Sequence, residues 1–299
     1  MEIRRLPQNL INQIAAGEVV ERPSSALKEL IENSLDANAT QIDILADNGG
    51  KNLISVADNG IGIQKEQIPL AVERHATSKL SDNSLHKIKY LGFRGEALPS
   101  IAAVSELNLQ SKYIESNQAW SIDIIAGDFN DVYPSSLEIG TKVSIKNLFF
   151  ATPARLKFLK SSQVEKSYCH QVILKMALVN PYTGFNFKAD GRELLNIKPE
   201  NKSDESYLNR IKTLMGSIFS NEAIKIENLK QITGSKFAKI HGFIGLPTLN
   251  KSNYNQQHLF INGRSVQDRN LSGAIRSAYR DTLPKGRFPV FCLFIEVPS

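Results

Sequence analysis

Glu29, Asn33 and Asp36 lie in the run Glu29-Leu-Ile-Glu-Asn33-Ser-Leu-Asp36-Ala37. On a helix that turns about 100° per residue they fall within about 60° of one another. Leu27, Leu30, Ile31 and Ser34 fall on the opposite face, which can bury. A carboxylate one turn from a carboxamide oxygen suits a base that polarises water beside a ligand for a hard cation. A solvated helix carries Glu and Asn at the same spacing, so the spacing alone leaves that plainer reading open.

The run Asp58-Asn59-Gly60-Ile61-Gly62-Ile63 follows a strand pattern. An aspartate at a strand end can accept a hydrogen bond from an exocyclic amine such as adenine N6. Gly60 and Gly62 permit positive φ and leave room for a flat base against the backbone. A glycine turn with a capping aspartate fits these residues equally well. Gly92-Phe93-Arg94-Gly95-Glu96-Ala97-Leu98 is the candidate for phosphate contact, because two glycines feeding a helix can aim backbone N–H groups at an anion. An ordinary helix start has the same composition. Ser78 and Lys79 precede it in a polar stretch that can fold over a phosphate chain. The dinucleotide pattern G-x-G-x-x-G after a strand and the P-loop pattern G-x-x-x-x-G-K-[ST] are both missing.

These residues need elements to hold them. Leu10 to Ala16 reads as a short helix, and Pro23 opens a second one running to about Asp36. Gln41 to Ala46 and Leu53 to Asp58 read as strands joined by the turn Asp47-Asn-Gly-Gly50. Ile68 to Arg74 is expected to be helical, Ser78 to Leu91 a mobile loop, and Gly95 to Ala103 a helix. Leu107 to Tyr113, Ala119 to Ile125 and Lys142 to Asn147 read as antiparallel strands. Arg155 to Lys160 and Val164 to Val179 read as helices, and Gly184 to Ala189 as a strand. After a polar linker, Tyr207 to Ile218 opens a second set of elements. Its strands are expected near 224–226, 237–244, 258–261 and 290–297, with a helix from Leu271 to Tyr279 between the last two.

The 299 residues are enough for two domains with real cores. A hydrophobic content of 41% with 22% charged residues is that of an ordinary globular chain, and no apolar run approaches a membrane span. The N-terminus lacks the apolar stretch of a secretion signal. Cys169 and Cys292 form no CxxC pair, which argues against a disulfide framework or zinc site and for a reducing cytoplasm. The net charge of +6 is uneven, because residues 199–299 hold 14 basic and 8 acidic side chains while the rest balance. Arg264, Arg269, Arg276, Arg280, Lys285 and Arg287 cluster there, which suits a polyanion, DNA first, or equally a solvated basic surface.

The ordered set Glu29/Asn33, Asp58-x-Gly60-x-Gly62, Gly92-x-Arg94-Gly95 and Gly140-Thr141 resembles the GHKL ATPases. Within that group the chain is most similar to the MutL mismatch-repair family. The deciding stretches are Ile14-Ala-Ala-Gly-Glu-Val-Val20 with Arg22-Pro23, Lys28 to Ala37, Arg74-His-Ala-Thr-Ser-Lys79, Gly92 to Leu98, Thr152-Pro-Ala-Arg155, and Asn262-Gly-Arg264 with Asp268-Arg269. The resemblance covers essentially the whole chain. It implies an α+β protein, a GHKL (Bergerat) α/β sandwich over residues 1–198, a linker at 199–206, and a ribosomal protein S5 domain 2-like domain over 207–299, cut at its C-terminal end.

The resemblance also implies roles. Glu29 is the general base and Asn33 a Mg²⁺ ligand. Asp58 reads adenine, flanked by Gly60, Gly62 and Ile63, and Thr141 supports that pocket. Thr77, Ser78 and Lys79, with Gly92, Phe93, Arg94, Gly95, Glu96, Ala97 and Leu98, close over the phosphates of ATP. Arg264, Arg269, Arg276 and Arg280 face DNA. The implied function is a slow Mg²⁺-dependent ATPase of DNA mismatch repair. ATP binding would drive a homodimeric clamp around DNA, and hydrolysis would reset it. The implied partners are sequence-nonspecific DNA, a MutS mismatch sensor, and a replication sliding clamp or a MutH-type nuclease or helicase. The implied setting is the bacterial cytoplasm near the nucleoid, with no membrane.

Two departures bear on this. Where the family has Phe-Tyr-Asn-Thr-Pro-Ala-Arg, this chain has Phe149-Phe-Ala-Thr-Pro-Ala-Arg155, so one contact at that turn is lost while the turn is expected to survive. Family members also continue past the equivalent of Ser299 into a His-Pro-x-Lys segment whose lysine reaches the γ-phosphate. Weak hydrolysis is therefore expected of these 299 residues, and any dimerisation or endonuclease region lies beyond them. A nucleotide-gated scaffold with negligible hydrolysis is the alternative. A type II topoisomerase ATPase region is disfavoured by Gly92 to Leu98 and Thr152 to Arg155. A histidine kinase is disfavoured by the lack of a phosphoacceptor helix.

Overall fold

The computed structural model describes residues 4–79, 90–92, 95–203, 205–233 and 236–298. The chain divides into two compact units, Met1–Ile173 with Tyr182–Pro199, and Leu174–Pro181 with Glu200–Ser299.

The first unit runs α1 (Gln8–Val19), α2 (Pro23–Asp36), β1 (Gln41–Asp47), β2 (Leu53–Asp58), α3 (Ile68–Ala71), α4 (Ala97–Ala102), β3 (Glu106–Lys112), β4 (Ala119–Ile125), β5 (Asp128–Phe129), β6 (Tyr133–Ser135), β7 (Gly140–Lys146), α5 (Pro153–Phe158), α6 (Ser162–Val179), β8 (Gly184–Ala189) and β9 (Arg192–Ile197). The last residues of α6, from Leu174, group with the second unit. The strands form one sheet in the order β5-β4-β3-β7-β2-β1-β8-β9, with β6 also paired to β4. The β1–β8 pair is parallel and the other pairs are antiparallel.

Strand alternation gives this sheet one covered and one open face. In β1, Ile42, Ile44 and Ala46 are buried, whereas Asp43, Leu45 and Asp47 are exposed. Leu27, Leu30 and Ile31 of α2 and Ile101 of α4 are buried with them. Each such side chain contributes about 1.5–3 kcal/mol on leaving water. The boundaries of α2 follow from its sequence, with Pro23 in the first turn, where its missing N–H costs nothing.

The second unit contains α7 (Ser206–Met215), α8 (Ser217–Glu222), β10 (Ala223–Thr233), β11 (Lys236–Gly245), β12 (Asn250–Lys251), β13 (Gln257–Ile261), β14 (Arg264–Ser265), α9 (Arg269–Ala278), β15 (Phe288–Pro289) and β16 (Phe291–Glu296). Its main sheet has the order β10-β11-β16-β13-β14, and β12 pairs with β15. β13 and β16 are parallel and are joined through α9. Both faces of this pair bury. Phe260, Cys292 and Phe294 pack with Leu178, Ile211 and Phe219, while Leu259, Phe291 and Leu293 pack against Leu271 and Ile275 of α9.

Two expectations need adjustment. The helix read over Ile68 to Arg74 is only Ile68–Ala71, preceded by a 3₁₀ turn at Lys65–Gln67. The helix read over Tyr207 to Ile218 breaks at Gly216, whose φ of 88° no helix accommodates, giving α7 and α8. The short strands β5 and β6 and the mostly exposed β9 carry little apolar alternation, so their pattern was silent. The loop expected over Ser78 to Leu91 falls largely on residues outside those described. No helix among the described residues is long and apolar enough to cross a membrane.

Candidate functional site

With Ala26, Leu27, Leu30, Ile31 and Ser34 buried, α2 turns Glu29, Asn33 and Asp36 together to its other face. Glu29 is half-buried and lies 3.7 Å from the ammonium of Lys28, which pairs more closely with Glu32 at 2.8 Å. Its carboxylate therefore sits at the edge of the site with access to water. Asn33 and Asp36 share one cation, since Lys79 Nζ donates to Asn33 Oδ1 at 2.8 Å and to Asp36 Oδ2 at 2.6 Å. Asp36 also accepts from the backbone amides of Leu91 at 2.9 Å and Gly92 at 3.1 Å. One carboxylate thus gathers Lys79, Leu91 and Gly92 against α2.

Asp58 ends β2 directly opposite Thr141 of β7. Its Oδ2 accepts from Ser34 Oγ at 2.7 Å, and its Oδ1 accepts from the amides of Gly60 at 2.9 Å and Thr141 at 3.3 Å. Burial pushes the Asp58 carboxyl above the usual carboxylate range, and the hydrogen bonds from Ser34, Gly60 and Thr141 pull it back toward ionisation. Two glycines let the chain close around it. Gly62 has φ 72°, and a Cβ there would collide with the Lys112 backbone. Gly140 has φ 132°, and a Cβ there would collide with the Asp58 carbonyl. The Ile63 amide donates to Ser111 Oγ at 2.8 Å.

The remaining candidates flank this core. Thr77 Oγ1 accepts from the Lys79 amide at 3.2 Å, and Ser78 is exposed beside it. The Gly95 carbonyl accepts from the His75 amide at 3.0 Å, and Glu96 Oε1 lies 3.9 Å from His75 Nδ1. Ala97 and Leu98 open α4, which has only six residues. Phe93 and Arg94 lie outside the described residues. The turn with the departing Phe150 and Ala151 does form: Thr152 N donates to the Phe149 carbonyl at 2.9 Å, and Arg155 donates to the Val20 carbonyl while stacking over the Phe149 ring.

The arginines read as a polyanion surface belong to the second unit. Arg269 and Arg276 sit on the exposed side of α9, away from Leu271 and Ile275. Arg280 follows the helix end and Arg264 belongs to the short edge strand β14, both exposed.

Sequence reading missed two residues of the pocket. The helical period places Ser34 on the buried face, and its hydroxyl there holds Asp58. Ser111 was passed over inside a strand. Each had one available signal, a hydroxyl at a position where the apolar period calls for a hydrophobe, and a buried hydroxyl must find partners.

A family model described as histidine kinase-, DNA gyrase B-, and HSP90-like ATPase matches residues 21–145, the stretch that carries α2, Asp58 and Thr141. A second model, the C-terminal domain of DNA mismatch repair protein, matches residues 211–299. The fold is thus that of a GHKL-type ATPase domain joined to a mismatch-repair domain. The DNA mismatch repair protein MutL of Paramagnetospirillum magneticum is 43% identical over 298 residues, covering 99% of this chain and 48% of that protein. MutL of Rickettsia bellii is 42% identical over 297 residues, with 99% and 48% covered. The chain belongs to the MutL family of DNA mismatch repair proteins. It spans about half the length of the curated relatives it matches. Among solved structures, the Aquifex aeolicus MutL ATPase domain complexed with ADP superposes with a TM-score of 0.69 at 27% identity, covering 94% of this chain and 93% of that one. The N-terminal domain of a DNA repair protein shares the fold with a TM-score of 0.81 at 24% identity, covering 96% of this chain and 87% of that one.

Proposed function

We propose that this chain is the ATP-dependent switch of a mismatch-repair protein. Its first unit binds and slowly hydrolyses Mg-ATP, and its second carries a DNA-facing basic surface. The observation that supports this best is the shared outward face of α2, with Glu29 one turn from Asn33 and the hydroxyl of Ser34 reaching under the helix to Asp58. In this reading Asp58 accepts from the base amine and Thr141 lines the same pocket. Gly60, Gly62 and Ile63 pass along the flat of the base, and Thr77, Ser78, Lys79 and the stretch Gly92 to Leu98 hold the phosphates.

The donor set fits a divalent cation, because a positive charge already rests on Asn33 Oδ1 at hydrogen-bonding distance, in the form of the Lys79 ammonium. Asn33 would hold magnesium through that oxygen. When bound, the ion would neutralise charge on the phosphates. Glu29 holds and polarises the attacking water.

ATP binding orders the N-terminal arm, about residues 1–20, so that two copies meet around DNA. The apolar side chains Ile11 and Ile14 of α1 stand 40% and 56% exposed, which suits a surface that meets another copy. A mismatch sensor of the MutS kind, and a sliding clamp or a MutH-type nuclease or helicase, are the partners this role calls for.

The test is Mg-ATP binding and turnover by the chain and by Glu29→Ala, with molecular mass measured with and without a non-hydrolysable analogue. Binding by both, a loss of turnover of at least about 100-fold in the variant, and a nucleotide-dependent dimer are expected. Binding without turnover in either protein favours a nucleotide-gated scaffold. Normal turnover by Glu29→Ala refutes the catalytic assignment.

A further inference from the structure

We infer that Ser111 fixes the direction of the Thr141 hydroxyl and thereby selects which nucleobase edge the pocket accepts, a specificity role that rests on reading Asp58 and Thr141 as base-contacting residues. Asp58, Thr141 and Ser111 are register partners across the adjacent strands β2, β7 and β3, so their side chains stand in a row on one sheet face. Ser111 is fully buried at the inner end of that row.

Its hydroxyl meets three groups. It accepts from the Ile63 amide at 2.8 Å, donates to the Gly140 carbonyl at 2.9 Å, and lies 2.9 Å from Thr141 Oγ1. A hydroxyl has one proton and two lone pairs. The Ile63 amide can only donate and the Gly140 carbonyl can only accept. The Ser111 proton is therefore committed to Gly140 and one lone pair to Ile63. The other lone pair takes the Thr141 proton. This is the one assignment in which all three contacts are hydrogen bonds, and buried polar groups are rarely left unpaired.

The consequence lies one strand over. With its proton turned inward to Ser111, Thr141 shows the pocket lone pairs only. Asp58 beside it, whose carboxylate oxygens accept from Ser34 and two amides, also presents acceptors. A wall of acceptors matches a base edge that carries an amine, as adenine does at position 6. A 6-oxo purine places a carbonyl there, lone pair against lone pair. Removing the Ser111 oxygen frees Thr141 to rotate and donate outward, and the 6-oxo base is then tolerated.

The experiment is calorimetric binding of ATP and of inosine triphosphate to the wild type, Ser111→Ala, Thr141→Val, the double variant and Asp58→Asn, with thermal unfolding of each. Ser111→Ala is expected to cut the preference for ATP over inosine triphosphate by about tenfold, the scale of one net hydrogen bond. Thr141→Val is expected to do the same, and the double variant to lose no more than either single change, because both break the same link. If Ser111→Ala does not fold, Thr141→Val carries the test, since it leaves the bonds of Ser111 to Ile63 and Gly140 in place. An undiminished preference in both single variants, with Asp58→Asn losing it, overturns the role of Ser111 while leaving Asp58 as the base reader. Additive losses overturn it too, because Ser111 would then act only as a structural support. A preference that survives Asp58→Asn removes the base-reading assignment and this inference with it.

Discussion

Asp58 is a carboxylate whose burial works against its ionised form. Burial raises its pKa, and three hydrogen bonds oppose that rise. The folded state thus takes up the proton more readily than the unfolded chain does. As pH falls through the raised pKa, the folded state gains relative stability, while the ionised acceptor proposed to meet the base amine is lost. Affinity for an ATP analogue is therefore expected to weaken on acidification at a pH above the ordinary carboxylate range. Asp58→Asn is expected to bind weakly and without that pH dependence. Titrating affinity against pH for both proteins checks this, and a pH-independent wild type would remove Asp58 from the binding step. Asp36 and Lys79 make the contrasting case, a carboxylate whose partners are a cation and two amides, and whose task is to gather chain segments.

At the scale of elements, α2 does two jobs because its two faces are chemically distinct. Leu27, Leu30 and Ile31 anchor it to the sheet, and this fixes the direction in which Glu29, Asn33 and Asp36 point. That helix was legible in the sequence from Pro23 to Asp36, because an N-terminal proline and an amphipathic period are local signals. The break of α7 from α8 was not, since a glycine inside an apolar period shows its φ only once tertiary packing selects it. α9 has a local determinant that can be measured. Asp268 caps it by accepting from the Leu271 amide at 2.8 Å. Asp268→Ala is expected to cost about 1 kcal/mol, read as a lower unfolding midpoint of the second unit, with the nucleotide affinity of the first unchanged.

At the scale of the whole molecule, charge and protonation divide between the two units. The excess of positive charge lies in residues 199–299, where Arg264, Arg269, Arg276 and Arg280 are exposed. DNA binding is expected to fall steeply with salt, as phosphate neutralisation releases counterions. Arg276→Glu should weaken it and flatten the salt dependence without altering ATP affinity. Salt-independent binding would contradict an electrostatic surface. His258 sets a second, independent property. Buried in β13 and facing the positive field of Lys175, its imidazole is held neutral, with its pKa lowered from 6.5 to about 4. The unfolded chain takes up this proton near pH 6.5 and the folded chain only near pH 4. Stability is therefore full above pH 6.5 and is lost as pH falls through that window, by on the order of 3 kcal/mol. Denaturant melts between pH 7 and about pH 4 should show the loss, and His258→Gln should show less of it.

The sequence by itself determined the motifs, the helix that bears Glu29 and Asn33, the first hairpin and the uneven charge, because each depends on residues near one another along the chain. Tertiary structure decided the rest. It placed Thr141 opposite Asp58 although 83 positions separate them. It brought the Lys79 ammonium onto Asn33 and Asp36, and it set the hydroxyls of Ser34 and Ser111 against Asp58 and Thr141. Strand register and the need to satisfy every buried hydroxyl make those choices, and both are set only when distant strands pair.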